Sequence, residues 1–175
     1  MQISQLSNEQ YGLLFDVRRS IRYHDRRRSF FEFMHRITAV LTILMAGSIL
    51  FEIGKTGATA SWLIGLSIIA ALLAALDMVV GYASKADLHR SLKVRFSKLE
   101  MAIIISSDNS AEWDSFHNER LLIEQDEPPI YRALDTLCHN EVVLALGLGQ
   151  GELYKVNAFH KATRHIFHWS DCSYS

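Results

Sequence analysis

The chain has 175 residues, a net charge of −1 and 49% hydrophobic residues. That length accommodates a membrane segment and one modest further unit, and the near-zero charge excludes a global field that would recruit nucleic acid. Cys138 and Cys172 are the only cysteines. Both fall on the side that the charge pattern below makes cytoplasmic, where thiols stay reduced, so no structural disulfide is expected.

Residues 1–35 read as a basic amphipathic helix. Ser7-Asn8-Glu9-Gln10 fits an S-x-x-Q capping box. Leu14, Val17 and Ile21 then recur at helical spacing, and no glycine or proline interrupts the path from Leu13 to Thr38. A bend, if the helix has one, would fall between Tyr23 and Arg28.

Residues 36–83 read as two membrane-crossing helices joined by a short polar turn. The first apolar run is Ile37 to Phe51, closed by Glu52. The second starts near Trp62, continues to Leu76, and resumes after Asp77 with Met78 to Tyr82. Soluble helices rarely stay apolar on every face for that length, although two buried helices of a soluble all-α bundle are the competing reading. The first run spans only roughly 22 Å, short of a bilayer core of about 30 Å, unless Phe30 to Met34 and Ile53 join it and Arg36 snorkels.

Orientation follows from the flanking charges. Arg18, Arg19, Arg22, Arg26, Arg27, Arg28 and Arg36 precede the hairpin, and Lys85, Arg90, Lys93, Arg95 and Lys98 follow it. The turn carries only Lys55 as a cation. Both termini are therefore expected in the cytoplasm. The same basic cluster would attract anionic lipid. Ala58-Thr59-Ala60 resembles a signal-peptide cleavage site, but the polar segment before the apolar run is too long for a signal peptide.

Two stripes of small residues are candidate packing and oligomerisation surfaces: Thr38, Thr42 and Ala46 in the first helix, and Ala70, Ala74, Asp77 and Gly81 in the second. A carboxylate is costly against lipid, so Asp77 should face protein or water. Arg36 is its candidate ion-pair partner, with His35 the alternative.

Residues 84–146 read as a cytoplasmic stalk and further helices. A helix is expected to continue past Tyr82, with Leu88, Leu92, Phe96, Leu99 and Ile103 forming a narrow seam. Ser106 to Ser110 mark a break. The next helix, near Ala111 to Asp126, places Trp113, Phe116 and Ile123 on one side and is otherwise acidic, with a solvated acidic face and pairing with Arg22 to Arg28 as the two readings. Pro128-Pro129 ends it and starts another, whose apolar face holds Ile130, Leu134, Leu137 and Cys138. In residues 147–175 the glycines at 147, 149 and 151 form a joint. Val156, Phe159, Thr163, Ile166 and Phe167, with Lys155, Lys161 and Arg164, suggest a short basic amphipathic tail helix that docks on protein or lies on a membrane.

No catalytic, cofactor-binding or metal-ligating set is expected. His160, His165, His168 and Cys172 match no established ligand spacing. Cys138 and His139 are neighbours on a helix and point apart. No Walker loop, H-E-x-x-H or G-x-S-x-G occurs.

The order of parts resembles the SLATT family of bacterial membrane proteins. The run Ala86 to Glu100, ADLHRSLKVRFSKLE, is similar to the family's A-x-x-H-R-x-L-x-x-R-[FY]-x-x-L, and Glu119 to Pro129 to its charged helix ending in a proline pair. The likeness covers roughly residues 15–146. It implies a homo-oligomeric effector of an antiviral or conflict system in the bacterial inner membrane. Such an effector would form pores when triggered by a cytoplasmic protein or a nucleotide signal. A non-pore membrane adaptor or exclusion factor is the competing expectation. The fold expected is all-α: a two-helix membrane hairpin with a cytoplasmic helical bundle.

Overall fold

A computed structural model describes residues 7–56, 61–106 and 110–169. The protein is all-helical, and no strand occurs among the described residues. Its elements are α1 (Asn8–Thr56), α2 (Ser61–Val80), α3 (Tyr82–Ile105), α4 (Ser110–Glu124), α5 (Arg132–Ala145) and α6 (Ala158–Thr163), with a 3-10 turn at Gln150–Glu152. The chain divides into two compact units, one of Met1–Arg27 with His89–Ser175 and one of Arg28–Leu88.

The predicted capping box opens α1. The Gln10 amide donates to Ser7 Oγ at 3.3 Å, and the Ser7 amide donates to Gln10 Oε1 at 3.0 Å. From there one helix runs unbroken to Thr56. Tyr23 to Arg28 is therefore continuous helix, as a stretch free of glycine and proline allows.

Arg28–Leu88 contains two helices long and apolar enough to cross a membrane. The helical continuation of α1 on both sides of Ile37–Phe51 removes the shortfall in length. The 20 residues of α2 reach about 30 Å, the thickness of a bilayer core. These helices are not the buried core of a soluble bundle. In α2 only Leu63 and Ala70 are buried, while Ile43, Leu50, Phe51, Leu72, Met78 and Val79 stand exposed. At one end of the unit Phe31, Tyr82 and Ala86 form an apolar cluster with Phe30, Met34 and Val80.

The second helix does not continue smoothly past Tyr82 as the sequence suggests. Gly81 has φ +64° and separates α2 from α3. A residue without a Cβ adopts this left-handed conformation without strain. The corner residue itself stays bonded on both sides: the Gly81 amide donates to Asp77 O at 2.9 Å, and Gly81 O accepts from the Lys85 amide at 3.0 Å.

The unit of Met1–Arg27 with His89–Ser175 has its own core. Leu13, Leu14 and Val17 of α1 meet Leu92, Phe96, Leu99 and Ile103 of α3 and Trp113 and Ile123 of α4. The α3 seam is thus as predicted from Leu92 onward. Leu88 is 40% exposed, and the seam begins instead at His89, which is buried. The reason is register: 89, 92, 96, 99 and 103 alternate steps of three and four, whereas beginning at 88 needs two successive steps of four, which drift about 40° each around the helix. Leu134 and Cys138 of α5 pack on Tyr23, whose Oη accepts from the Tyr131 amide at 3.0 Å. Helix α5 starts at Arg132, three residues after the position predicted. Gly147, at φ +68°, ends it. The Gly147 amide donates to Leu144 O and the Leu148 amide to Val143 O, a Schellman closure.

Phe96→Ala, at a fully buried position, should destabilise this unit by about 3–5 kcal/mol. Val94→Ala, on the exposed side of the same helix, should change stability by less than about 0.5 kcal/mol. Chemical unfolding of the detergent-solubilised chain checks both; equal effects would disprove the seam.

Candidate functional site

Two sites combine polar chemistry with burial, one in each unit. In Arg28–Leu88 it is the pair formed by His35 and Asp77. Nδ1 of His35 lies 3.0 Å from Oδ2 and 3.2 Å from Oδ1 of Asp77, so α1 and α2 are joined by a charge-assisted hydrogen bond. Of the two partners expected for Asp77, His35 is therefore the one that meets it. Arg36 points elsewhere: its side chain is 78% exposed, and its guanidinium reaches Glu32 at 3.9 Å. Adjacent residues on a helix project about 100° apart, so only one of His35 and Arg36 can face α2.

Burial shows which expected packing residues share that interface. In α1 the buried and half-buried positions include Phe31, His35, Thr38, Thr42, Met45 and Ile49. In α2 they are Leu63, Leu66, Ala70, Leu73, Asp77 and Val80. Both seams alternate steps of three and four, the spacing that keeps two helices in register. Thr38, Thr42, Ala70 and Asp77 therefore lie on the seams. Ala46 and Ala74 are exposed on the outer surface, and Gly81 sits at the helix break. The first expected stripe, with two successive steps of four, drifts about 40° at each step, and in α2 it is Leu73 rather than its neighbour Ala74 that faces the partner helix between Ala70 and Asp77.

The hydroxyls on these helices are internally satisfied. Thr38 Oγ1 donates to the carbonyls of Met34 and His35, Thr42 Oγ1 to that of Thr38, Ser48 Oγ to that of Leu44, and Ser67 Oγ to that of Ile64. They leave both helix surfaces effectively apolar.

The second site is a buried histidine pair in the unit of Met1–Arg27 with His89–Ser175. His24 Nδ1 and His89 Nδ1 are 2.9 Å apart, and His24 Nε2 lies 2.9 Å from Glu127 Oε1. One proton is shared across the Nδ1 contact, while the other edge of His24 donates to the carboxylate. The His24 ring stacks on Phe96 at 5.6 Å. Burial, then the charges of His24 and Arg27, push the His89 pKa down to about 3. Neither histidine was given a role from sequence, although His89 is the histidine of the A-x-x-H-R run. The available signal was positional: His89 heads the Leu92 to Ile103 seam, and His24 lies seven residues after Val17.

The basic cluster is largely consumed by this unit. Arg18 meets Glu100 at 2.7 Å, Lys93 meets Asp25 at 2.7 Å, Arg19 meets Asp135 at 3.3 Å, and Arg26 meets Glu141. The acidic run around α4 meets other cations than those expected. Glu124 pairs with Arg120 and Asp126 with Arg95, Asp114 and Glu119 are exposed, and among the described residues it is Glu127 that reaches the Arg22 to Arg28 segment, through His24. A cleft of about 440 Å³ is lined by Arg19, Tyr23, Arg120, Glu127, Pro129 and Asp135. Both arginines are engaged by carboxylates, so an anion entering the cleft would have to displace them.

Among the described residues no three His, Cys, Asp or Glu side chains converge on a metal position. Cys172 lies outside the described residues, as do Ala58-Thr59-Ala60 and Ser107 to Asn109. Burial pushes the Cys138 thiol up to about 12, and its side chain is fully enclosed, so at neutral pH it is protonated and not an activated nucleophile. The His139 ring lies 4.9 Å from Phe15 and 4.8 Å from Tyr154 in aromatic packing.

No protein-family model, curated protein or solved structure matches the chain.

Two predictions follow from these geometries. Asp77→Asn and His35→Gln should each weaken the helix pair by about 1–2 kcal/mol, with the double variant little worse than either. Reversible unfolding in bicelles measures the cycle; additive effects would mean that the two side chains do not interact. The second concerns pH. In the unfolded chain His89 titrates near 6.5, and in the folded chain near 3. Below pH 6.5 the unfolded state binds the extra proton, so stability is full above 6.5 and falls as pH drops toward 3, by at most about 1.4 kcal/mol per unit. His165, lowered to about 4 by burial and then by Arg27, acts in the same direction. Unfolding midpoints between about pH 7 and 5 should therefore decline, and His89→Asn should flatten the decline.

Proposed function

We propose that the chain is a membrane effector. In this reading it crosses the bacterial inner membrane twice, keeps both termini in the cytoplasm, and assembles with copies of itself to permeabilise the bilayer. One observation carries the proposal. A polar pair, His35–Asp77, holds together two helices whose outward faces are apolar and exposed over the length of a membrane. Such a hairpin suits lipid on one side and like hairpins on the other. Two helices cannot enclose water, so permeation requires several copies. The cationic flanks and the cation-poor turn support the orientation. The resemblance of Ala86 to Glu100 and Glu119 to Pro129 to SLATT proteins supports the effector role, with a cytoplasmic protein or nucleotide signal as trigger.

A second reading, a membrane-anchored adaptor or exclusion factor that forms no pore, is favoured by a different observation. Every hydroxyl described above on the two helices bonds to its own backbone, leaving no polar stripe to line a channel. An effector must therefore rearrange or rotate its hairpins on activation.

Ion release from liposomes separates the two readings. The effector should release trapped potassium at high protein density, with Asp77→Asn and His35→Gln altering the rate, and should run as a closed multimer in nanodiscs. Capture of a cytoplasmic partner by a monomer or dimer that never leaks would establish the adaptor instead.

A further inference from the structure

The tail after α5 is held to its own unit largely through backbone groups and leaves several apolar side chains outside. Three contacts dock it on its own unit. Asn140 and Tyr154 exchange two hydrogen bonds, Nδ2 to Tyr154 O at 2.7 Å and the Tyr154 amide to Oδ1 at 2.9 Å. Arg27 Nη1 donates to His165 O at 2.7 Å. The His168 ring packs on Tyr131 with centroids 3.9 Å apart. Asn157 caps α6 by accepting from the Phe159 amide. Trp169 folds back onto α6: its Nε1 donates to Thr163 Oγ1 at 3.0 Å, and its ring stacks on His160 and lies against Phe159 and Phe167.

What this docking leaves outside is unusual for a water-facing surface. Phe159, on α6, and Ile166 and Phe167, just after it, are each more than half exposed. Scattered apolar residues need no explanation, but three beside a tryptophan form a patch, and such patches mark an interaction surface. The charge within the segment itself is of one sign, with Glu152 just before it and Asp171 just after it. From Leu153 to Trp169 the chain carries Lys155, Lys161 and Arg164 and no acid. Lys155 and Lys161 are exposed, and among the described residues no carboxylate pairs with either. They differ in this from Arg18, Arg19, Arg26 and Lys93, which are taken up by ion pairs.

Aromatic and aliphatic side chains ringed by lysine and arginine are the composition that partitions into the headgroup region of an anionic bilayer. Reach is not limiting. Arg27, which holds the His165 carbonyl, lies nine residues before Arg36 in the chain, so covalent connection keeps that contact within about 30 Å of the start of the first apolar run. A surface already tethered so close needs little intrinsic affinity.

We propose that the aromatic end of the tail, Phe159, Ile166, Phe167 and Trp169 with Lys155, Lys161 and Arg164, is a docking surface for anionic phospholipid. It rests on the membrane reading of the hairpin and adds a second membrane contact, made by lying on the surface rather than by crossing it. This contact would make the position of the unit of Met1–Arg27 with His89–Ser175 dependent on lipid charge.

The test uses the full chain labelled with 5-fluorotryptophan in nanodiscs. Its three tryptophans, Trp62, Trp113 and Trp169, give separate fluorine signals, and Trp169→Phe assigns the last. Spin-labelled lipid should broaden the Trp169 signal in nanodiscs containing phosphatidylglycerol and much less in pure phosphatidylcholine. Lys161→Ala and Arg164→Ala should each weaken the effect roughly fivefold. Phe159→Ser with Ile166→Ser should abolish it and leave the buried Trp113 signal in place, which reports that the unit is still folded. An unbroadened Trp169 signal overturns the proposal, whether it is accessible to a water-soluble quencher or shielded against protein. Equal broadening in both lipids overturns the role of the cations. Trp62, on α2, is the internal reference. If Trp62 is unaffected by spin-labelled lipid, the membrane reading itself has failed, whereas broadening of Trp62 alone rejects only the lipid-docking tail.

Discussion

A carboxylate inside an apolar helix has to find a partner, and the arrangement of the two long apolar helices follows from where Asp77 finds one. A charged aspartate against hydrocarbon costs several kcal/mol, far more than any single packing contact in the same helix returns. Facing it toward His35 sets the rotation of α2 about its axis. Leu63, Leu66, Ala70 and Leu73 then fall on the inner seam by register alone. The same rotation sends Ile64, Ile68, Leu72 and Val79 outward, which makes the exterior of the hairpin uniformly apolar. Thr38, Thr42, Ser48 and Ser67 are satisfied locally, each bonding back to its own helix.

The unit of Met1–Arg27 with His89–Ser175 is organised on a different principle. Its apolar core is modest, and its helices are cross-linked by charged pairs at the margin of that core. Exposed pairs of this kind contribute little individually. Their value lies in using up cations that would otherwise face solvent or lipid. The buried His24–His89–Glu127 chain is the exception, because there desolvation is severe and every polar atom must be paired. Stacking of His24 on Phe96 ties that polar chain to the apolar seam, so the two parts of the core are mechanically one.

Several features were legible in the residues because they are local. The Ser7 to Gln10 capping box, the break after Ile105, the proline stop at Pro128 and the glycine end of α5 depend on neighbours a few positions away. The apolar runs were legible for the same reason. Other features were misjudged where a local rule met a long-range one. Leu88 looks like a seam residue by spacing of four, yet the seam is entered at His89. Ala46 belongs to a stripe of small residues with two steps of four, which a helix of 3.6 residues per turn carries off the interface, and Ala74 lies one position past Leu73, which takes the place on the seam. Arg36 is the stronger cation, yet His35 occupies the angle that faces Asp77. Gly81 was counted as a small packing residue, when its positive φ makes it the corner between α2 and α3.

The sequence by itself determined the class of the protein, namely helices throughout, two of them apolar over the length of a bilayer, with basic flanks. Composition and short-range periodicity suffice for this, because helix formation and the transfer of apolar side chains depend on each residue and its nearest turns. Tertiary structure alone decided which of two adjacent residues meets Asp77, and that His24 and His89, 65 positions apart, share a hydrogen bond. It alone decided that Arg18, Arg19, Arg26 and Arg95 meet carboxylates while, among the described residues, Lys155 and Lys161 do not. Those outcomes depend on the rotation and register of helices distant in sequence, and a difference of one residue turns a side chain by about 100°.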